Sequence, residues 1–277
     1  MDCSQSKKSY TKVNLFSDFY CLYNKFLIVD KVVSLTNHGR DRSIIHKFFL
    51  LHLNITSNKF IENKNEILKF INDINKTLNE YLLKYRKFKI VCDYEKDTRI
   101  TKIEEKKVKE LNKAFKDFYL AANLYTKHRK NMSDDDLKSI FEKMITDYTY
   151  GVFEKTDDSE SCIENFHKCF EDINIKKITN LKQALMEFNN AISHIVRADY
   201  KQENEEEKNI IRAINHLERG TLDYYKSIIK EFYFLDNISV KNEKILQHIR
   251  CREFNSIGNT KIDIIKFYEE FIINIVK

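Results

Sequence analysis

Two short stretches of the chain carry the same pair of side chains, and that pair could act on a phosphate. "FNNAISHIVRADY" holds His194 and Arg197, and "AINHLERGTLDYY" holds His216 and Arg219, so each His precedes an Arg by three residues. A histidine can take or give a proton near neutral pH. The planar guanidinium of an arginine can bond two phosphate oxygens at once. The repeated pair therefore indicates a candidate site for an anion or for acid–base chemistry.

Both stretches lie in helical patterns, one over 180–201 and the other over 204–233. On each helix, polar residues recur at steps of three or four and share one face beside the apolar stripe. They are Asn190, His194, Arg197 and Lys201 on the first helix, and Arg212, His216, Arg219 and Asp223 on the second. If the charged link near Asn204 folds the two helices into an antiparallel hairpin, we expect Asn190 near His216 and His194 near Arg212.

These residues resemble the C-terminal helical hairpin of HEPN-type proteins from microbial conflict systems. The similar segments are "EFNNAISHIVRADY" and, after an acidic turn, "EEEKNIIRAINHLERGTLDYYK", which cover roughly one sixth of the chain. The resemblance implies a helical bundle, often dimeric, that is either a metal-independent ribonuclease or a non-catalytic binding module. In active members an Arg, the polar residue after it and a His a few residues later form the cleavage site, usually composed across a dimer.

The resemblance also implies roles for individual residues. His194 matches the family His and Asn190 the polar residue, but Asn189 stands where the family has Arg. A neighbouring Arg, such as Arg197 or Arg212, could replace that cation in space. We therefore expect His194, Asn190 and Arg197 to be catalytic, and Arg212, His216 and Arg219 to bind substrate or phosphate. The resemblance implies RNA, a protein encoded nearby or a second copy of the chain as partner, in a prokaryotic defence or toxin–antitoxin system. Neither a metal nor a cofactor is expected.

Other interpretations of the repeated pair stay open. The His and Arg side chains could be polar bonds between two packed helices in a non-catalytic scaffold that acts through a protein partner, or they could hold a nucleotide. A looser match to the family pattern, Arg40, Asp41 and His46, straddles an expected helix start and ranks lower. Cys162 and Cys169 would lie about 10.5 Å apart along a helix, too far for one zinc ion, and are expected to be buried thiols.

The rest of the chain predicts an all-α protein of long antiparallel helices. It has no Pro and 4 Gly in 277 residues, and apolar residues recur with helical rather than alternating spacing. Helices are expected over 10–35, 42–56, 57–88, 101–130, 159–172, 180–201 and 204–233, and in a C-terminal region interrupted by "NSIGNT". Ser133 and Asp136 form a capping box. The turn at Gly151 suggests an N-terminal helical region, 1–150, and a C-terminal bundle, 151–277, which could also pack as one body.

Composition excludes several classes of protein. No apolar run approaches the roughly 20 residues of a membrane span. With 4 Gly spread along the chain, neither a phosphate loop nor a dinucleotide fingerprint can be assembled. The net charge of +6 permits a nucleic-acid partner without requiring one. The polar start "MDCSQSKKSYTK" and 6 scattered Cys predict a cytoplasmic protein with reduced thiols.

Overall fold

The computed structural model describes residues 12–35, 42–56, 64–84, 105–137, 139–140, 143, 181–198, 205–235, 237–255 and 261–276. Within these ranges the long elements are eight helices: α1 (Lys12–Leu35), α2 (Arg42–Thr56), α3 (Lys64–Lys84), α4 (Glu105–Asn131), α5 (Lys182–Ala198), α6 (Glu206–Phe234), α7 (Val240–Asn255) and α8 (Lys261–Val276). These ranges contain no strand, which confirms the predicted all-α class. None of the described helices has the length and apolar content to cross a membrane.

Several predicted features lie outside the described residues. They are the helix over 159–172, the turn at Gly151 that suggested a boundary, Cys162 and Cys169, and the pair Arg40 and Asp41. The predicted capping box is described and is confirmed. The backbone N–H of Asp136 donates to the Ser133 hydroxyl at 3.0 Å, and the backbone N–H of Ser133 donates to the Asp136 carboxylate at 3.2 Å. These two bonds satisfy backbone donors at the start of the helical residues 134–137.

The chain divides into two compact units, and each unit draws on two separate parts of the sequence. The first unit comprises Met1–Asn112 and Leu185–His216, and the second comprises Lys113–Ala184 and Leu217–Lys277. The dividing points fall inside α4, α5 and α6, so each of these helices contributes residues to both units.

In the first unit, α1, α2 and α3 pack against one another. Aromatic rings dominate the contact: Tyr23 and Phe48, both fully buried, lie 4.8 Å apart between ring centroids. Helix α5 joins this core through Phe188, whose ring meets that of Phe49 edge-on at 5.5 Å. The apolar side of α5 is thereby held against α2, which leaves its polar side for α6.

In the second unit, α4 packs against α6 and α7 packs against α8. Phe118 of α4 meets Tyr224 of α6 at 5.5 Å between ring centroids, and both rings are fully buried. Helices α7 and α8 are in direct contact. Most of α7 is exposed, since Leu246 and Ile249 are its buried residues. The large aromatic residues Tyr224, Tyr225 and Tyr268 belong to the core.

Candidate functional site

The two predicted polar faces meet where α5 and the first part of α6 run antiparallel. The rings of His194 and His216 stack with 5.3 Å between their centroids and an angle of 15° between their planes. The two histidines that sequence spacing singled out therefore form one site. We call these residues, with their hydrogen-bond partners Asn209 and Glu187, the histidine pair.

Each histidine is held by its Nδ1 atom. Nδ1 of His194 lies 3.1 Å from Oδ1 of Asn209, and Nδ1 of His216 lies 2.5 Å from Oε2 of Glu187. Amide and carboxylate oxygens accept hydrogen bonds, so each Nδ1 carries the proton and Nε2 is the basic atom of a neutral ring. Neither Nε2 has a hydrogen-bond partner among the described residues. Both rings are therefore oriented by the hairpin while one nitrogen stays available.

The partners Glu187 and Asn209 were not among the residues predicted from sequence. Each lies three residues, about one helical turn, before the residue expected there: Glu187 before Asn190, and Asn209 before Arg212. A signal for them exists in the spacing, because Glu187 precedes His194 by seven residues and Asn209 precedes His216 by seven. Residues seven apart are separated by about two helical turns and lie on one face of a helix. Because the two helices are antiparallel, Glu187 of α5 bonds to His216 of α6, and Asn209 of α6 bonds to His194 of α5.

The histidine pair is half-buried and flanked by cations. The side chains of His216 and Glu187 are each 19% exposed, while Arg197 and Arg212 are exposed. Burial lowers the pKa of His194 below 6.5, and the charges of His216, Arg197 and Arg212 lower it further, against the opposing effect of the Asn209 hydrogen bond. His194 is consequently neutral at pH 7 and its Nε2 can accept a proton.

The other predicted residues take different places. Asn190 is half-buried on α5, one turn before His194. Arg219 is exposed on α6, one turn after His216, and belongs to the second unit. His46 is half-buried with its ring stacked on Phe49 at 6.3 Å, and burial lowers its pKa.

Asn189, at the family's Arg position, is a core residue. It is 4% exposed, and the hydroxyl of Tyr23 donates to its Oδ1 at 2.5 Å. The hydroxyl of Ser193 donates to its backbone carbonyl at 2.7 Å. Position 189 therefore holds α5 to α1 and presents no cation to a ligand.

A second polar cluster, which sequence reasoning missed, lies in the second unit around the buried carboxylate of Glu231. Nε2 of His128 is 3.1 Å from Oε2 of Glu231, Arg129 forms an ion pair with Oε1, and the Tyr125 hydroxyl is 3.5 Å from Oε1. Burial, followed by the charge of Glu231, raises the pKa of Tyr125 to about 12. The sequence signal was an acidic residue among the apolar residues of α6. We call these four residues the Glu231 cluster.

The described residues contain no group of three or more His, Cys, Asp or Glu placed to hold a metal ion. Comparison of the chain with protein-family models, with curated proteins and with solved structures finds no match. The geometry of the histidine pair is therefore the structural basis on which a function can be proposed.

Proposed function

We propose that this is a HEPN-like protein of a prokaryotic defence or toxin–antitoxin system that binds and cleaves RNA without a metal ion. The observation that carries the proposal is the stacking of two histidines, each oriented through Nδ1 and each with Nε2 available. Two adjacent imidazoles can supply both the base and the acid that internal phosphodiester transfer requires.

The proposed chemistry uses the ribose 2′-hydroxyl as the nucleophile. His194, neutral at pH 7, accepts the 2′-hydroxyl proton while the bond from O2′ to phosphorus forms. His216 in its protonated form gives a proton to the 5′-oxygen while the bond from phosphorus to that oxygen breaks. Glu187 orients His216 through Nδ1 and can compensate the positive charge on the ring. The products are a 2′,3′-cyclic phosphate and a free 5′-hydroxyl.

Arginine residues near the pair are the candidates for binding the phosphate. Arg197 and Arg212 are exposed, and their charges act on His194. They would stabilise the charge that develops on the phosphate, in place of the cation missing at Asn189. Asn190 is a candidate for a ribose or base contact, and Arg219 for a phosphate further along the strand. A second copy of the chain could complete the site, as the family resemblance implies.

One observation favours a second candidate function. Both histidines form hydrogen bonds from one helix of the hairpin to the other, and such bonds can also serve only to hold two packed helices together. In that case the protein is a non-catalytic scaffold that acts through a protein partner, and the pair contributes to stability alone. The two functions differ in what the loss of one imidazole does to cleavage and to folding.

The deciding experiment measures cleavage of a mixed RNA pool by the purified protein in EDTA, with mass determined by light scattering. We expect His194→Ala and His216→Ala each to lower the cleavage rate by about 10²–10⁴-fold, the usual contribution of an acid or base. His248→Ala is the matched control, because His248 is exposed on α7. RNA with 2′-methoxy groups should resist cleavage, since it lacks the nucleophile.

The result has two clear readings. Cleavage in EDTA that is lost in both pair variants, with unfolding curves unchanged, supports the ribonuclease. A wild-type protein that leaves RNA intact, together with pair variants that unfold at lower denaturant concentration, overturns it in favour of the scaffold.

A further inference from the structure

A groove with a volume of about 700 Å³ lies on the second unit, with its walls on α6 and α7. This volume is within the roughly 300–1,000 Å³ of small-molecule sites. Helix α6 supplies Lys226, Lys230, Tyr233 and Phe234, whose spacing of three and four residues places them on one face. Arg250 of α7 and Tyr268 of α8 line the other side. We call this the α6–α7 groove.

The residues that line the groove include three cations, Lys226, Lys230 and Arg250, and no carboxylate. Glu253, beside the groove, accepts hydrogen bonds from Lys226, from Arg250 at 3.1 Å and from the Tyr268 hydroxyl at 2.7 Å. Burial acts to raise the pKa of Glu253, but these bonds and the two positive charges outweigh it and lower the pKa. Glu253 is therefore ionised and holds two of the three cations in place.

Lys230 is the cation that remains for a ligand. It is exposed, and it has no carboxylate partner in the described part of the chain. Its ammonium group lies 5.1 Å from the centroid of the Phe234 ring. The neighbouring Tyr233 is 42% exposed. The groove thus presents positive charge next to flat aromatic surface.

The combination of positive charge and aromatic surface helps to decide whether the groove holds a nucleic acid or a helix of a partner protein. Proteins that bind single-stranded nucleic acid pair a positively charged groove with aromatic side chains on which bases stack. An amphipathic helix instead needs a continuous apolar groove. Ile229, Leu246 and Cys251 also line the α6–α7 groove, so its surface is mainly apolar and carries the three cations. A helix would have to cover these cations, whereas a nucleotide brings a phosphate to them and a base to the apolar wall. The groove therefore fits a nucleotide better than a helix.

We propose that the α6–α7 groove binds a nucleotide unit of single-stranded RNA, with its base against Tyr233 and its phosphate at Lys230. The inference rests on the proposed function for the choice of RNA, but it requires no cleavage, because these residues contact no reacting bond.

The test is binding of a labelled 2′-methoxy oligouridine, which cannot be cleaved, measured by fluorescence anisotropy on the full chain. We expect Tyr233→Ala to weaken binding by about fivefold or more through lost stacking. Lys230→Glu should weaken it by a similar factor and reduce the dependence of log K on log salt by about 0.7. Lys244→Glu is the control, since Lys244 is exposed on α7 and does not line the groove; it should change binding by less than about twofold.

The outcomes separate this inference from the proposed function. If the groove variants weaken binding while the wild type fails to cleave RNA in EDTA, RNA binding by the groove is supported and the ribonuclease function is overturned. If cleavage depends on His194 while Tyr233→Ala, Lys230→Glu and the control all bind equally, the groove inference is overturned.

Discussion

The histidine pair and the Glu231 cluster contain the same kinds of side chain in different environments. Each joins a carboxylate to a histidine on another helix. The side chain of Glu187 is 19% exposed, whereas that of Glu231 is 5% exposed. Arg197 and Arg212 near the pair are exposed, whereas Arg129 is drawn into an ion pair with Glu231. The difference shows that residue types alone do not separate a site that can meet a ligand from an internal ion pair.

Because the two regions differ in burial, they should respond differently to the loss of one side chain. In the Glu231 cluster, Nε2 of His128 and Oε2 of Glu231 are buried and lack a well-oriented hydrogen bond among the described residues, although they are 3.1 Å apart. Removing one member of such a cluster leaves an uncompensated charge. In the histidine pair, partial exposure lets solvent replace a lost partner. We therefore expect the Glu231 cluster to govern stability and the histidine pair to govern activity.

The largest effect on stability should come from Glu231→Ala. We expect a loss of about 3–5 kcal/mol in the free energy of unfolding, because Arg129 and His128 would keep buried charge or polarity without a partner. Glu187→Ala removes a carboxylate of greater exposure and should cost about 1 kcal/mol or less. Urea unfolding of both variants measures the difference. Equal losses of unfolding free energy in the two variants would contradict the expectation that the more buried carboxylate contributes more to stability.

An intermediate effect is expected at the contact that holds α5 to α1. Tyr23→Phe removes the hydroxyl that donates to the buried amide oxygen of Asn189, and should cost about 1–3 kcal/mol of unfolding free energy. The control is Tyr233→Phe, at an exposed ring, for which we expect a change within about 0.5 kcal/mol. If Tyr23→Phe proves neutral, the role of position 189 as a core anchor is wrong.

The smallest effect is a dependence of stability on pH near the histidine pair. Because the pKa of His194 is lower in the folded protein than 6.5, the unfolded chain binds more protons between the two values. Stability from this group is complete above pH 6.5 and is lost as the pH falls through the folded pKa. His194→Asn should flatten that decline in urea titrations. The pKa of His46 is also lowered, so the difference between wild type and variant is the quantity to compare.

The same shift predicts the pH dependence of cleavage. A base must be unprotonated, so the acidic limb of log kcat/KM should lie below pH 6.5. Arg212→Gln removes one of the charges that lower the pKa of His194 and should move this limb toward higher pH. A limb that stays in place in this variant, or lies above 6.5 in the wild type, would argue against His194 as the base.

Much of the fold followed from spacing alone. The prediction of a helix over 42–56 coincides with α2, and the ends of α5 and α6 differ from the predicted ones by one to three residues. The apolar positions Phe188, Ile192 and Ile210 are buried as expected. These features are local, because helical periodicity and caps depend on residues within one or two turns.

The candidate site was predicted in part. Two polar faces joined by a short charged link predicted one cluster that contains His194 and His216, but not that the two rings stack on each other. Their partners Glu187 and Asn209 depended on which side chains reach across the hairpin, and each lies three residues before the residue expected there. Glu231 was missed because its partners, His128 and Arg129, lie about a hundred residues earlier on α4. Such long-range pairing leaves no periodic signal.

The sequence by itself determined that this chain is helical, that α5 and α6 carry polar faces, and that each face contains one histidine. Tertiary structure alone decided which polar residues remain accessible. Asn189 was enclosed by Tyr23 and Glu231 by α4, whereas the histidine pair kept one nitrogen of each ring open. The physical reason is that helix formation depends on neighbours a few residues away, whereas desolvation depends on every segment that packs against a side chain.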